Sequence, residues 1–558
     1  MKKLVAILLT MLMVTAIAVG CGNGTAPAAP GGGQTPVPTA PGDGAATPGT
    51  GEGGAAVITA PQGGEAQRGG ILRLANTAEG ATPLGVPWEV FGIDATLMPA
   101  FGESLLLEGS DGSIEPWLAE EFWVDMDTLQ LFFQIRQGVY FHDGSRLNAE
   151  VAAWNITQAI ETNAINPAII SAEAIEEYLM MAQLDRWSNI IWSAFASRSF
   201  TMISMEAFLA NGIEWARENP ISTGPFVLRE YIRGERIVFD RNENYWIEGK
   251  PYLDGIEIIF IRDVMTQNLA FQATGDQSID ILGTNSAEQV ITLRGDGVTV
   301  AMNQIGPISL VPSSGNPDSP LAILEVRQAI SYAIDREAIV GARGFGLMTP
   351  AFQYIPEEWP GVHLPPEYNL SYNPDRAREL LAEAGFPDGF STVIVAMPGL
   401  VDRDAIIAVQ AQLREVGIDA EVQFPDAGGY SALRFGGWEG LMAQHTRSFP
   451  APFNSFNMYF DAYEDPIGSG NLTHQRMISA WRPLEEVYEL SQAAQTTEEP
   501  EVENLANFHR LILREMLCIP LWNLFEFSIM SDNVRDTGFA EWSAGTQWQP
   551  QNAWIAQD

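Results

Sequence analysis

Cysteine, lysine and histidine are all scarce in this 558-residue chain. Two cysteines, Cys21 and Cys518, exclude a disulfide framework and a thiolate metal cluster. The five histidines (His142, His363, His445, His474 and His509) are too scattered to form a local metal motif. The chain has no G-x-S-x-G elbow, no H-E-x-x-H helix, no G-x-x-x-x-G-K-[ST] phosphate loop and no paired C-x-x-C. A triad assembled by folding ignores chain order, but nothing here favours one. The chain is therefore expected to be no enzyme, to bind no metal and to need no cofactor. Only 3 lysines and 27 arginines stand against 70 Asp+Glu, for a formal net charge of −40. A nucleic-acid partner requires a basic footprint, so that class is excluded. An anionic membrane surface would repel the body as well.

What is present is ordinary globular chemistry. Hydrophobic residues make up 46% and charged residues 18%, enough to bury a large core. At ~100–200 residues per domain the length suggests about three domains.

The amino terminus reads as an address. Met1-Lys2-Lys3 is followed by an apolar run over residues 4–19. At ~1.5 Å per residue the run falls short of a ~30 Å hydrocarbon core, so it reads as a signal-peptide core over residues 1–20. The run ends Ala18-Val19-Gly20-Cys21, which resembles a bacterial lipobox, with Ala18 where Leu is usual. That resemblance implies cleavage before Cys21 and lipid on Cys21; plain secretion is the other reading. Residues 21–68 are dominated by Gly, Pro, Ala and Thr and read as a disordered tether. As a flexible coil it spans roughly 40 Å. No later run reaches ~18 apolar residues, so the body is expected to hang outside the cell by lipid alone.

From residue 69 the pattern is mixed α/β. Ile71 to Ala75 reads as a first strand. Residues 131–135 and 138–141 read as a strand pair, and Ile256, Ile258 and Phe260 alternate as another strand. Val326, Ala329, Ile330, Ala333 and Ile334 form one helical stripe. Asn373-Pro374 reads as a helix start, Ala377, Leu380, Leu381 and Ala384 as its stripe, and Gly385 as its stop. Ile406, Val409, Leu413 and Val416 mark a further helix, followed at once by the alternating Ala420, Val422 and Phe424. Helix then strand at this spacing predicts crossover units.

Several motifs in order resemble the extracellular solute-binding proteins of the peptide/nickel class that feed ABC importers. They are Arg68-Gly69-Gly70-Ile71-Leu72-Arg73, then Leu118-Ala119-Glu120-Glu121-Phe122 with Phe133-Gln134-Ile135-Arg136-Gln137-Gly138-Val139-Tyr140-Phe141-His142-Asp143-Gly144. Thr223-Gly224-Pro225-Phe226-Val227-Leu228 and Asn242-Glu243-Asn244-Tyr245-Trp246 follow. Val326-Arg327-Gln328-Ala329-Ile330-Ser331-Tyr332-Ala333-Ile334-Asp335-Arg336, Ala377 to Gly385, and Pro520-Leu521-Trp522 complete the set.

The resemblance implies an α/β two-lobed clamp, a periplasmic-binding-protein-like Venus flytrap, with an extra inserted domain. Lobe I would comprise residues 69–100, 222–306 and 528–558. Residues 101–221 would be the insertion, and residues 307–527 lobe II. A solute would be trapped by hinge closure and delivered to an ABC permease by a monomer. A ligand sensor or peptide-pheromone receptor, presenting the closed clamp to a membrane signalling partner, is the alternative.

His142-Asp143-Gly144 and Ser222-Thr223-Gly224-Pro225 read as turns rather than chemistry, and Cys518 as a buried inert thiol. Cleft contacts are expected from loops after strands: Trp88, Asn285, Phe352 and Tyr354, with Trp438, His445, Arg447, Ser448 and Phe449 beyond. In peptide-binding relatives the region near 445 carries a Trp and, three residues later, an Asp that pairs with the peptide's α-ammonium. By resemblance His445 stands at the Trp position and Ser448 at the Asp position, so the carboxylate is missing. The expected ligand is oligopeptide-like, or another oxygen-rich or carboxylate-bearing solute, with Arg447 as a partner. A register shift of a residue or two would instead let Asp426 or Asp461 supply the charge.

Overall fold

The computed structural model describes residues 64–557 apart from 77–81, 91–96, 110–112, 198–199, 276–277, 356, 358–360, 398, 400, 446–485, 487–488, 491–492, 494–495, 498–501 and 540–547. The expected signal peptide, Cys21, most of the tether, and Arg447, Ser448 and Phe449 lie outside the described residues.

The chain opens with β1 (Ile71–Asn76). A short hairpin, β2 (Leu106–Glu108) and β3 (Ile114–Pro116), leads into an antiparallel sheet. Its strands are β4 (Ala119–Asp125), β5 (Gln130–Ile135), β6 (Ile169–Glu176) and β7 (Leu179–Leu184), in the order β4-β5-β7-β6. Helix Ala149–Glu161, capped by the Asn148 side chain, belongs to the same core as Phe133, Ile135 and Met180. The strand pair expected from residues 131–135 and 138–141 is not formed. β5 pairs with β4 and β7, and Tyr140 makes only an isolated bridge to Arg146. The reason is local: Asp125 Oδ1 accepts from the amides of Asp127 and Thr128, turning the chain before β5, while Gly138 at φ 79° ends the extended run after it.

The chain then returns to the β1 sheet. β8 (Phe226–Ile232), β9 (Arg236–Arg241) and β10 (Gly255–Phe260) form an antiparallel meander. β10 lies parallel to β1 on one side, and β11 (Ile281–Thr284) lies parallel to it on the other. Next comes β12 (Val298–Pro312), followed by the short β13 (Thr349–Pro350). β14 (Phe390–Val395), β15 (Ile418–Gln423) and β16 (Leu441–His445) follow. Last are β17 (Ile519–Ser531) and the small pair β18 (Val534–Arg535) and β19 (Trp554–Ile555). β14 runs parallel to both β15 and β16. Helix Arg403–Glu415 connects β14 to β15, the crossover that the helix-then-strand pattern predicts. Asn373 caps helix Pro374–Glu383 through the Arg376 amide, as its Asn-Pro start predicts.

Two long strands join the halves of this sheet. β12 and β17 pair antiparallel from Val298↔Ser531 to Leu310↔Ile519. At one end β17 pairs with β11; at the other β12 pairs with β16. Each half carries its own apolar core. Leu72, Phe239, Ile256 and Met530 pack in one, and Ile330, Leu380, Ile406, Val409 and Trp522 in the other. Each such side chain, once buried, contributes ~1.5–3 kcal/mol. The boundaries drawn at 306/307 and 527/528 both fall inside these strands, because the polypeptide crosses between the halves without leaving the ladder. The ladder slips between Gln304 and Gly306, and Gly306 adopts φ 113°. This bulge bends the ribbon midway.

The sheet β4-β5-β7-β6 joins the β1 half through two neighbouring segments. Gly224 N donates to Phe101 O at 3.0 Å, and a Cβ on Gly224 would meet the Phe101 carbonyl carbon at 2.4 Å, so only glycine fits. Beside it Glu103, 5% exposed, accepts from Tyr245 (2.7 Å), Thr223 (2.8 Å), Trp117 (3.0 Å) and Trp246 (3.0 Å). Desolvation raises its pKa to about 7 against these four donors. His142 lies at 3.0 Å from Gly224 O and Asp143 Oδ1 accepts from Ser145 N, so the His142-Asp143-Gly144 motif is a structural turn here. Burial pulls the His142 pKa down to about 4. Cys518 is fully buried, and burial pushes its thiol up to about 12.

Candidate binding cleft

The parallel strands β10, β1 and β11 place their carboxyl ends along one crevice, the position where open α/β sheets bind ligands. A cavity of about 440 Å³ opens there. Ile258, Asn76 and Thr284 come from these three strands, with Leu97, Phe539 and Trp548 as further apolar walls. Phe539 and Trp548 stack at 5.3 Å.

Its polar groups are mostly neutral. Gln289 Nε2 donates to Gln267 Oε1 (3.0 Å) and Asn268 Oδ1 (2.9 Å), while Gln267 Nε2 donates to Ile261 O (2.6 Å). These buried amides hold one another in place. Thr284, Asn285, Ser286 and Ser528 add hydroxyl and amide groups. Among the described residues lining the cavity, Glu526 is the only charged one.

The opposite half reaches the same crevice. Beyond the carboxyl end of β14, Gly399 O accepts from Asn285 Nδ2 at 3.3 Å. A second cavity of about 190 Å³ adjoins this contact, lined by Asn285, Ser286, Gly399, Arg343, Asp402 and Trp522 among others. Arg343 is bound there to Asp402 at 2.8 Å. The cleft is thus bounded by loops from both halves and floored by the crossing strands, through Ile305, Glu526 and Ser528.

Residues 113–466 match the family described as bacterial extracellular solute-binding proteins, family 5 Middle. The chain belongs to this family. Among curated relatives, the glutathione-binding protein GsiB of Salmonella typhi is 28% identical over 339 residues, 59% of this chain and 64% of that protein. The chain therefore spans under two thirds of that relative's length. AgaA from A.tumefacien R10, in complex with agropinic acid, superposes with TM-score 0.72 at 22% identity, covering 88% of this chain and 99% of that one. DppA from Helicobacter pylori, in complex with peptide STSA, gives TM-score 0.73 at 18% identity over 88% and 99%. These structural likenesses establish the two-lobed clamp with mixed α/β content.

Within this family 5 chain, the expected contact Asn285 lines both cavities. His445 reaches Ile305 O, at the cavity wall, through Nε2 at 2.9 Å. Other expected contacts are placed elsewhere. Trp88 is 6% exposed and packs on Trp154 and Phe208, because the loop around it folds against the inserted sheet's helix. Phe352 lies 5.2 Å from the buried Arg336 guanidinium. Tyr354 is fully buried in a core with Phe508. Trp438 donates to Val311 O at 3.2 Å and lines a separate groove. Arg447, Ser448 and Phe449 are outside the described residues. Glu526, Gly399, Gln267 and Gln289 were not anticipated. One signal was available: Glu526 is the lone acid in an otherwise apolar or neutral strand run.

Proposed function

We propose that this chain is the solute-capturing component of an ABC importer. It takes an extracellular solute into the cavity between its lobes and presents the closed clamp to a membrane permease. The observation that carries this reading is the Asn285–Gly399 contact, where loops from both lobes meet over a cavity of about 440 Å³. Family 5 membership supports it. Hinge closure would bend the ribbon at the Gly306 bulge, and residues 69–100, 222–306 and 528–558 would move against 307–527. Residues 101–221 would ride with the first lobe through the Glu103 junction.

The solute is oligopeptide-like, or another oxygen-rich, carboxylate-bearing molecule. Asn76, Thr284, Asn285, Ser286 and Ser528 supply the mixed donors and acceptors that such a molecule needs. Relatives named for glutathione, a peptide and agropinic acid support that chemistry. The chain acts by binding and release, without catalysis, as a monomer. Residues 1–20 serve as signal peptide, Cys21 carries lipid, and the tether holds the body at the outer face of the cell membrane. Among the described residues no helix is long and apolar enough to cross a membrane.

Native mass spectrometry of the purified chain, paired with solution scattering, tests this. An intact small molecule should co-purify, and its removal should expand the particle. A chemically altered product, or scattering that never responds to any solute, rejects the proposal.

A further inference from the structure

We infer that the inserted sheet is a third jaw of the clamp: Trp187 and Asn189 fasten it to the second lobe in the closed state and set how long a solute is held. The inference rests on the capture function proposed above. After β7 the chain turns through residues 185–190 into helix Ile191–Ala196. Trp187, 9% exposed, anchors this turn in the insert's own core, with its ring centre 6.4 Å from that of Trp192. Its indole Nε1 donates to Thr497 O at 3.1 Å, and Asn189 Nδ2 donates to Thr497 Oγ1 at 3.4 Å. Beside them Ile190 packs against the apolar core of Val311, Tyr354, Phe508 and Ile512. Among the described residues, Ile190 is the one contributor to that core from outside residues 307–527.

The insert enters and leaves through the first lobe, so its hold on the second is made by side chains alone. On the first-lobe side Glu103 accepts from four donors, and Gly224 closes on Phe101. A body tied to both lobes must release one of them when the lobes swing apart. Two bonds to a single half-buried threonine are weaker than four to a buried carboxyl group, so the Thr497 joint is the one that parts. It coexists with the Asn285–Gly399 contact, so both are made in the same arrangement of the lobes. Trp187, Asn189 and Thr497 line neither cavity of the cleft. The joint therefore acts on release of the solute and leaves its recognition to the cavity walls.

The test compares the full parent chain with two variants and their combination. Trp187→Phe keeps a ring in the insert's core and removes the donor. Thr497→Ala removes the Oγ1 acceptor from the opposite side and leaves that core untouched, so an effect shared by both cannot come from a misfolded insert. The probes are glutathione, alanine oligopeptides of two to six residues and any co-purifying molecule. Stopped-flow mixing gives the rates and solution scattering the shape. Each variant should release a captured probe about threefold faster, and the combination about tenfold, the scale of two hydrogen bonds. Association rates, the order of probe preference and the unliganded melting temperature should match the parent. At equal saturation with probe, the scattering profiles should shift toward the unliganded form. Release rates and liganded profiles equal to the parent's overturn the inference and leave solute capture standing, as does a changed probe preference with unchanged release. A parent chain that captures no probe and carries no co-purifying molecule overturns both.

Discussion

The His445 ring stands 2.9 Å from the Ile305 carbonyl oxygen, with Nε2 as the donor because a carbonyl only accepts. Ile305 is the bulged residue between Gln304 and Gly306, where the β12–β17 ladder slips. A bulge leaves a backbone group without a ladder partner, and a side chain from β16 supplies one. The bond therefore fastens the second lobe's last parallel strand to the bend of the ribbon. His445→Ala should lower stability by about 1 kcal/mol, the worth of one such bond. Chemical denaturation reads this directly. An unchanged midpoint would show that the bulge holds itself.

Glu103 links pH to stability. Its folded pKa of about 7 exceeds the ordinary 4.5, so the folded protein holds this proton more tightly than the unfolded chain. Its contribution is fully present below about pH 4.5 and is lost as pH rises through about 7. The difference amounts to about 3 kcal/mol. Glu103→Gln should remove that slope. A glutamine keeps one oxygen for Tyr245, Trp117 and Trp246 and turns its amide toward the Thr223 hydroxyl. Melting temperatures of the two proteins should vary differently with pH, the parent falling relative to Glu103→Gln as pH rises through about 7, if Glu103 is the source; a constant difference across that range would place the slope elsewhere.

Arg336 is buried, and among the described residues its partners are carbonyl and hydroxyl oxygens rather than a carboxylate. Its guanidinium donates to Pro520 O (2.7 Å), Ser331 O (3.0 Å), Ile334 O (3.3 Å) and Ser331 Oγ (2.9 Å). Burial lowers its pKa to about 10, so it stays charged at neutral pH. Arg336→Ala removes four buried hydrogen bonds, to Pro520 O, Ser331 O, Ile334 O and Ser331 Oγ, and should cost roughly 3–5 kcal/mol. Arg336→Lys should recover less than half, because an ammonium cannot reproduce the planar fork. Denaturant midpoints of the two variants check the order.

Asn285→Ala removes the 3.3 Å contact to Gly399. One hydrogen bond between exposed groups is worth ~0.5–1.5 kcal/mol. The variant should populate open particles more and release its ligand up to about tenfold faster. Scattering and stopped-flow dissociation give the two readouts. A compact variant with unchanged release would assign lobe contact to other residues.

How much of this was legible beforehand differs by element. The first strand, the helix after Asn373 and the crossover through Arg403–Glu415 follow from periodicity and capping, since local sequence sets local conformation. Asn285 was likewise recognisable as a loop position after a short apolar strand, and it lines the cavity. The strand pair at 131–141 was misassigned, because alternation marks a strand without naming its partner.

The sequence by itself determined the apolar stripes, the helix caps, the acidic balance and the absence of a catalytic motif, all of which are properties of near neighbours or of sums. Tertiary structure alone decided which half each long strand serves, and that the Phe352 ring lies against a buried guanidinium. It also decided that Glu526 faces the cleft. That facing depends on a strand register set by residues more than two hundred positions away, such as Asn303 opposite Glu526, and no local pattern encodes a pairing at that distance.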